Sequence, residues 1–488
     1  MNYSMIRYIL SSVICFVGIF LLLPAATAGI YQEKEGFLYL IIGLACMLIG
    51  FWGRRRKPKS SVFYSKEGFA AVALSWIILS LIGALPMYLT GEFPSYIDAL
   101  FETISGFTTT GSSILSDVEK LSRGTAFWRC FTHWIGGMGV LVFIMAVMPL
   151  SDSSSMHLMR AESPGPSVGK LVPKVKTTAM ILYGIYVVFT VIEIIALLIA
   201  GMPLFDSMTL TFGTVGTGGF GLLNSSIASY STAVQIIITV FMIICSINFT
   251  VYYMFLIKRP KEALMCEEMR YYLLIVFGSA LLIAFNIRAS FASFGKAFQQ
   301  AIFQVASVIS TTGFATADFN LWPEFSRMIL VLLMFVGACA GSTGGGFKVS
   351  RLIIMVKSVR NEIMSVTHPR SVQKVHMDGR RIPDNVVKTV LCYLAGYVVI
   401  LIVSVLLISL DNFDMTTNFT AVMATFNNVG PGLNRVGPTG NFGGFSVLSK
   451  LVLMFDMLVG RLELYPMLVI FAPGLWRIHP HRHVGKVQ

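Results

Sequence analysis

Long apolar runs with almost no charged residue recur along the whole 488-residue chain. A helix needs about 20 mostly apolar residues to cross the hydrocarbon core of a bilayer. Only 12% of the residues are charged, roughly half the share found in soluble domains. The sequence therefore predicts an all-α protein with many membrane crossings. The predicted crossings lie near 7–30, 37–53, 68–90, 127–150, 177–201, 232–257, 271–288, 327–347, 386–410 and 447–474.

The basic residues alternate with these crossings in a way that predicts the orientation. Clusters at 54–59, 170–176, 258–261, 348–388 and 477–483 all fall on one side of the membrane. By the positive-inside rule that side is cytoplasmic, so we expect both termini inside the cell. The net charge of +13 then reflects topology and contact with lipid headgroups. A nucleic-acid partner would need a basic soluble domain, which the sequence lacks.

The first apolar run has one feature of a secretory signal. Residues 26–28, Ala-Thr-Ala, resemble a signal peptidase site. The run before them is longer than the roughly 7–15 residues of a typical signal core. We therefore expect a retained helix, and cleavage would leave the downstream topology unchanged.

The stretch 213–221, GTVGTGGFG, imitates a dinucleotide-binding motif. That motif requires a preceding strand, a following helix and an acid about 20 residues on. The flanks are instead long apolar runs, and no Asp or Glu occurs between Asp206 and Glu262. The seven cysteines show neither metal-ligand spacing nor a disulfide framework. With no convergent catalytic constellation in the helices either, we predict no organic cofactor and no enzyme.

Four short segments of one design separate pairs of apolar runs. Residues 98–111 (DALFETISGFTTTG) align without a gap to 300–313 (QAIFQVASVISTTG), and two further copies occupy 206–219 and 417–430. Each copy reads as a short amphipathic helix followed by a glycine-ended turn, with 417–430 the most divergent. Internal repetition of this kind is information about the fold. It predicts four repeated units around one axis.

The glycine at the end of each turn indicates what these segments do. Non-helical backbone at membrane depth is tolerated only inside protein or beside a watery cavity. A ring of carbonyl oxygens replaces the hydration shell of an alkali cation, and glycine permits the backbone conformations that aim them inward. The negative ends of the short helices favour a cation at the same place. The glycines concerned are Gly111, Gly219, Gly313 and Gly430.

With these motifs the chain resembles the TrkH branch of the Trk/Ktr/HKT potassium-transport superfamily. The resemblance covers essentially the whole chain and implies an all-α polytopic membrane protein with four membrane–pore–membrane repeats around a pseudo-fourfold pore. Two extra N-terminal helices, 1–60, precede repeats predicted at 61–160, 161–262, 263–365 and 366–488. The stretches that carry the resemblance are SGFTTTG (105–111), GTVGTGGFG (213–221), STTGF (310–314), FNNVGPG (426–432), GACAGSTGGGFK (337–348) and GRLELYP (460–466).

The resemblance implies potassium as the transported ion and a selectivity filter built from the four turns. The fourth turn lacks the Thr-Thr-Gly pattern, so sodium permeation and coupling to protons or sodium remain open alternatives. Some threonine hydroxyls would, in another interpretation, merely bond the backbone of the short helices. The implied filter residues are Thr109, Thr110, Gly111, Thr217, Gly218, Gly219, Thr311, Thr312, Gly313, Asn428, Val429 and Gly430.

A glycine-rich interruption inside the eighth predicted crossing is the second candidate site. It begins like a phosphate-binding loop, but Phe347 stands where that motif needs Lys and Val349 where it needs Ser or Thr. In the family the corresponding loop obstructs the pore beneath the filter as a gate; the alternative is a close helix crossing at glycines. The implied gate residues are Gly341, Ser342, Thr343, Gly344, Gly345, Gly346 and Lys348.

Arg461 is the third candidate, because a charge inside a membrane crossing is costly and marks a functional site by default. The resemblance implies that it faces the cavity below the filter as an electrostatic barrier or gate latch. The alternative is a buried structural pair with Asp456 or Glu463.

The resemblance also implies partners and a location. A homodimer and a cytosolic TrkA-like nucleotide-binding ring are expected, with docking surfaces at 151–176 and 348–385, in a bacterial cytoplasmic membrane. Among weaker candidates, Glu102 either bonds locally or attracts cations, and His133 is expected to be a packed polar residue. The histidines at 479, 481 and 483 fit a solvated basic tail better than a metal site.

Overall fold

The computed structural model describes residues 2–56, 65–139, 175–368, 370 and 373–471. Within them the chain is almost entirely helical, apart from one small antiparallel hairpin that pairs β1 (His376–Met377) with β2 (Arg380–Arg381). The α-helices are α1 Tyr3–Ile30, α2 Gly36–Arg54, α3 Ser65–Leu89, α4 Tyr96–Phe107, α5 Arg123–Gly137, α6 Val175–Ile199, α7 Leu204–Val215, α8 Thr232–Cys245, α9 Phe249–Leu256, α10 Pro260–Leu264, α11 Glu267–Ile287, α12 Phe294–Ile309, α13 Glu324–Val336, α14 Val349–Thr367, α15 Asp384–Ile408, α16 Met415–Phe426, α17 Val447–Leu462 and α18 Leu464–Val469.

Six of these helices are long and apolar enough to cross a membrane, namely α1, α2, α3, α6, α11 and α15. A seventh span is possible if the bent pair α8–α9 counts as one. The predicted class, an all-α multi-pass membrane protein, is confirmed. The part of the crossing 127–150 beyond Gly139, the surface at 151–174 and the histidine-rich tail at 477–483 lie outside the described residues.

The two N-terminal helices pack closely against each other through glycines. A Cβ added to Gly18 of α1 would lie 2.6 Å from the carbonyl oxygen of Gly43 in α2. A Cβ on Gly50 would lie 2.6 Å from the backbone nitrogen of Cys15. Small residues that let helix backbones approach are the usual solution for packing in lipid. The pair is joined to the rest of the molecule where α1 meets α3 and α5.

The remaining helices form four similar units that close into a ring. Each unit has a long helix (α3, α6, α11 or α15), then a short helix (α4, α7, α12 or α16), then a third helix. Each short helix also packs against the third helix of the preceding unit: α7 on α5, α12 on α8 and α16 on α13. The cycle returns to its start because α4 packs on α17.

The third helix of the second, third and fourth units is interrupted. The prediction of continuous crossings at 232–257 and 447–474 is therefore wrong. The chain bends by 89° between α8 and α9, and α17 gives way to α18 at Glu463, whose φ is 65°. In the third unit, α13 ends at Val336 and α14 resumes at Val349. Helix α14 then runs to Thr367, two residues past the predicted end of the third repeat at 365.

Candidate functional site

The four glycine-ended turns share one backbone conformation. Each contains a residue in the left-handed region: Thr109, Thr217, Thr311 and Asn428 have φ values of 55°, 55°, 60° and 54°. Two residues later comes a glycine with φ between 80° and 100°. The intervening amide donates back into the short helix at 2.8–2.9 Å in all four turns, as from Thr110 to Ser105 and from Val429 to Ala424. The fourth turn thus keeps the geometry of the others despite its different side chains.

The four turns face one another in a closed cycle, which we call the glycine ring (Gly111, Gly219, Gly313 and Gly430). A Cβ on Gly430 would lie 2.8 Å from the carbonyl oxygen of Thr110. A Cβ on each of the other three would lie closer still to the corresponding carbonyl of the next turn. The facing pairs are Gly111 with Gly218, Gly219 with Thr312, Gly313 with Val429 and Gly430 with Thr110. Glycine is required at all four positions both by φ and by the closeness of these carbonyls.

Three of the threonine hydroxyls in the turns form local hydrogen bonds. Thr110 Oγ1 pairs with Thr108 Oγ1 at 2.8 Å, and Thr312 Oγ1 with Ser310 Oγ at 2.7 Å. Thr217 Oγ1 donates to the carbonyl oxygen of Gly216 at 2.7 Å. The interpretation in which these hydroxyls bond the backbone is therefore confirmed for Thr217, whereas Thr110 and Thr312 pair with neighbouring hydroxyls.

A buried ion pair between α4 and α5 supports the first turn. Arg129 of α5 and Glu102 of α4 pair at 2.6 Å, and Glu102 also accepts from the Ser113 hydroxyl and the Ile114 amide. Arg129 reaches on to the carbonyl oxygen of Gly221 at 3.0 Å. Glu102 thus bonds locally to Ser113, Ile114 and Arg129. Through Arg129 it connects the first turn to the segment that follows the second turn.

His133 links the same two turns. Its Nδ1 lies 2.7 Å from the carbonyl oxygen of Gly106, and its Nε2 accepts from the Phe220 amide at 3.2 Å. A neutral ring protonated at Nδ1 satisfies both contacts. The prediction of a packed polar residue is confirmed.

One face of the ring opens into a cavity of about 150 Å³. All four ring glycines line it, together with residues that follow the turns, such as Ser112 and Asn441. Within the described residues no group of three or more His, Cys, Asp or Glu side chains is placed to hold a metal ion.

The glycine-rich loop (residues 337–348) covers the opposite face of the ring. Gly345 donates its amide to Thr311 Oγ1 at 2.6 Å. A Cβ on Gly345 would lie 2.6 Å from the carbonyl oxygen of Asn427, and one on Gly344 would lie 2.8 Å from that of Ser310. The loop therefore packs directly on the third and fourth turns. Because it is irregular rather than helical, the alternative of a helix crossing at these glycines is wrong.

Both ends of the glycine-rich loop are held by a single carboxylate. Oε1 of Glu268, in the first turn of α11, accepts from the Ala340 amide at 2.7 Å and from the Ser350 amide at 3.0 Å. Glu268 is 3% exposed. Sequence reasoning missed this residue, because an acid in the first turn of a helix ordinarily indicates only a favourable helix end.

Two more gate candidates, Thr343 and Lys348, hold the loop from within. Thr343 donates its hydroxyl to the carbonyl oxygen of Cys245, the last residue of α8, at 3.1 Å. Lys348 is 1% exposed and donates from Nζ to the carbonyl oxygen of Gly344. Ser342 is also buried and donates to Cys339. The structure thus places the predicted gate residues 341–348 in one loop, in which Gly344 and Gly345 contact the third and fourth turns.

Arg461 lies at the junction of the loop and the first turn. It donates from Nη1 to the Thr343 carbonyl oxygen at 2.7 Å and to Thr109 Oγ1 at 3.3 Å. From Nη2 it donates to the carbonyl oxygens of Gly136 and Gly137 at 2.6 Å each. These acceptors are neutral oxygen atoms from α5, the first turn and the glycine-rich loop.

The two acids named in the alternative for Arg461 have other contacts. Asp456 accepts from Ser404 Oγ at 2.8 Å, and Glu463 pairs with Arg351 at 2.5 Å. The prediction of a structural pair with Asp456 is therefore wrong, since that side chain faces α15.

Comparison with known proteins agrees with this geometry. The model of the TrkH family, described as cation transport protein, matches residues 40–478. The Trk system potassium uptake protein TrkH of Escherichia coli K12 is 35% identical over 477 residues, 95% of this chain and 97% of that protein. TrkG of the same strain, also named a Trk system potassium uptake protein, is 31% identical over 460 residues, 93% of this chain and 94% of its own length.

A solved structure matches the whole chain. The crystal structure of the potassium transporter TrkH from Vibrio parahaemolyticus superposes with a TM-score of 0.88 at 30% identity, covering 98% of this chain and 100% of that one. The predicted resemblance is confirmed. The chain belongs to the TrkH family of cation transport proteins, a family of transporters and not of enzymes.

Proposed function

We propose that this protein conducts potassium ions through the glycine ring, down their electrochemical gradient. The observation that carries the proposal is the closed cycle in which each ring glycine faces a carbonyl of the next turn. Such a ring offers dipoles in place of a cation's hydration shell. The names of the relatives, potassium uptake protein and potassium transporter, support potassium as the cargo.

The ion would be held by backbone carbonyls of the four turns, Thr109–Gly111, Thr217–Gly219, Thr311–Gly313 and Asn428–Gly430. A poorly selective potassium and sodium pathway is the alternative suggested by the fourth turn. The shared φ values of the four turns favour selectivity, because the carbonyl directions follow from the backbone. The Asn428 amide group donates to Thr110 Oγ1 and to the Met457 carbonyl oxygen at 2.9 Å each, which supports this conformation.

The glycine-rich loop, with Lys348 and Arg461, would close the pathway on the face opposite the cavity. Two buried cationic side chains sit where a cation must pass. At an effective dielectric constant of about 20, two unit charges roughly 5–6 Å apart repel by about 3 kcal/mol, which slows passage roughly a hundredfold. We therefore regard the conformation described here as closed.

Opening would require a partner that moves the loop, and a cytosolic TrkA-like nucleotide-binding ring is the proposed one. The segment 348–385 offers a surface for docking because α14 continues directly from the loop. Residues 151–174 would contribute from outside the described part of the chain. Four apolar side chains on α14 are at least 60% exposed, which supports a homodimer or another protein contact there: Val356, Val359, Ile363 and Val366.

We place the protein in the bacterial cytoplasmic membrane with both termini inside. The basic segments 258–261 and 380–381 are exposed, as expected of a surface facing anionic headgroups and the cytosol.

Flux measurement in liposomes tests the function directly. Purified protein, reconstituted without a partner, should give slow tracer potassium uptake that follows the potassium gradient and is never driven against that gradient by an imposed pH gradient. Sodium at the same concentration should move more slowly. Accumulation of potassium against its gradient, driven by pH or sodium, would instead establish the coupled symporter. Equal sodium and potassium fluxes would establish the unselective pathway.

A further inference from the structure

One ionisable side chain lies inside the membrane without a bonding partner. Glu193 is the sole charged residue between Lys176 and Asp206, in the membrane-length helix α6. It is 0% exposed, and neither carboxyl oxygen accepts a hydrogen bond within the part of the chain that the structure describes. A buried ionised carboxylate without partners is very costly, so such a group keeps its proton or finds a donor.

The groups around Glu193 offer lone pairs rather than hydrogens. Thr214 of α7 faces the carboxyl, but its hydroxyl already donates to the Leu210 carbonyl oxygen at 2.9 Å. Only a lone pair of Thr214 remains, and a protonated carboxyl can donate to it while a carboxylate cannot.

The donors on the same face of α6 are likewise used. The Trp134 indole donates to Thr190 Oγ1 at 3.0 Å, and Thr190 donates to the Tyr186 carbonyl oxygen at 2.9 Å. The Tyr186 hydroxyl donates to the Trp134 carbonyl oxygen at 2.9 Å. We infer that Glu193 is a proton-binding site that is occupied while the glycine-rich loop covers the ring.

The site is connected to the loop through the end of α8. Cys245, the last residue of α8, packs in one buried cluster with Tyr186 of α6, and its carbonyl oxygen accepts a hydrogen bond from the Thr343 hydroxyl. The helix breaks directly after it. Loss of the proton creates an anion that needs water or a hydrogen-bond donor. The break after Cys245 leaves backbone groups of this cluster outside a helix. Hydration there competes with the Thr343 contact and so favours release of the loop.

Among the residues that the structure describes, no titratable group near this site supplies a compensating charge at contact distance. Tyr186 of α6 and Cys245 of α8 are the titratable members of the neighbouring buried cluster. Tyr252 of α9 donates to the Ile244 carbonyl oxygen at 2.6 Å. Arg461 of α17 lies beyond, within electrostatic range of Tyr186. Proton binding at Glu193 thus depends mainly on burial and on the acceptor at Thr214.

Infrared spectroscopy of the purified protein tests the proton itself. At neutral pH the wild type should show a protonated-carboxyl stretch that shifts in deuterated water and is absent from Glu193→Gln. Glu324→Gln, at a site 86% exposed, should leave the band in place. Thr214→Val removes the acceptor and should shift the band. This variant provides the test if Glu193→Gln does not fold. A spectrum unchanged by both Glu193→Gln and Thr214→Val would overturn the inference.

The link to gating rests on the proposed function and needs potassium flux. Partner-free wild-type flux should rise severalfold with increasing pH, and Glu324→Gln should behave the same. Glu193→Gln, which cannot ionise, should stay at the low-pH level throughout. If Glu193→Gln kept the wild-type pH profile, the proposed effect of Glu193 on the loop would be wrong. The infrared evidence for a proton on Glu193 would be unaffected. No flux in the wild type under any condition would count against the proposed function instead.

Discussion

Arg461 in α17 donates a hydrogen bond to the carbonyl oxygen of Thr343 in the glycine-rich loop, at 2.7 Å and across 118 residues of chain. The same guanidinium reaches two carbonyl oxygens of α5. One cationic side chain therefore fastens the loop to the first and fourth units. Under the proposed function, the charge of Arg461 and its hydrogen bonds would both oppose opening, and mutations can separate these two contributions.

Arg461→Gln should raise partner-free potassium flux by about 10–100-fold, because the electrostatic barrier of about 3 kcal/mol is largely removed. Arg461→Lys keeps the charge but loses the forked hydrogen bonds. We expect both variants to lower the unfolding free energy by about 2–4 kcal/mol, since each hydrogen bond to a charged group contributes about 1.5–3 kcal/mol. Flux and thermal stability measured on both proteins distinguish the effects. Equal flux increases in the two would assign the restriction to bonding and not to charge.

Gly313→Ser should reduce potassium flux at least tenfold or abolish the preference over sodium. A Cβ there would lie 2.9 Å from Pro431 Cδ and closer to the Val429 carbonyl oxygen, so that carbonyl must turn away. Gly201→Ser is the matched control, because Gly201 has nearly the same φ, 87° against 86°, and no atom within 4 Å of an added Cβ. Selectivity and flux are compared in liposomes. Normal conduction by Gly313→Ser would remove this turn from the filter.

Glu268→Ala should loosen the glycine-rich loop at both ends and raise partner-free flux severalfold. Glu268→Gln retains an oxygen acceptor for the Ala340 and Ser350 amides and should stay near the wild type. The alanine variant leaves two buried amides without their acceptor, at a cost of about 1–3 kcal/mol each. Flux normalised to folded protein is the measurement. Identical flux in the wild type and both variants would show that the Glu268 contacts with the loop have no part in closing the pathway.

Deletion of Gly344–Gly346 should raise flux without any partner, because the loop would no longer reach the third and fourth turns. The deletion removes the Gly345 contact with Thr311 and the close packing of Gly344 under Ser310. Size-exclusion chromatography establishes that the variant is assembled before its flux is measured. An assembled variant conducting at the wild-type rate would make the loop a packing element only.

The sequence by itself determined the membrane class, the helical architecture and the positions of the four turns. These are local properties: an apolar run of sufficient length favours a spanning helix wherever it occurs. A glycine at the end of a short helix permits positive φ whatever lies opposite. Even the divergent turn ending at Gly430 is located by the sequence, because 417–430 has the same length as the other copies and ends in the same glycine. The roles of these turns in conduction remain a proposal.

Only the tertiary structure decided which groups meet around the glycine-rich loop. Glu463 is near Arg461 in sequence, yet its ion pair is with Arg351, 112 residues away. Nothing local marks Glu268 as the acceptor for both ends of the loop, nor Cys245 as the end of α8. The reason is physical: a buried charge must be satisfied by some polar group. The sequence shows that need, whereas the folded chain alone determines which distant carbonyl or amide lies within reach.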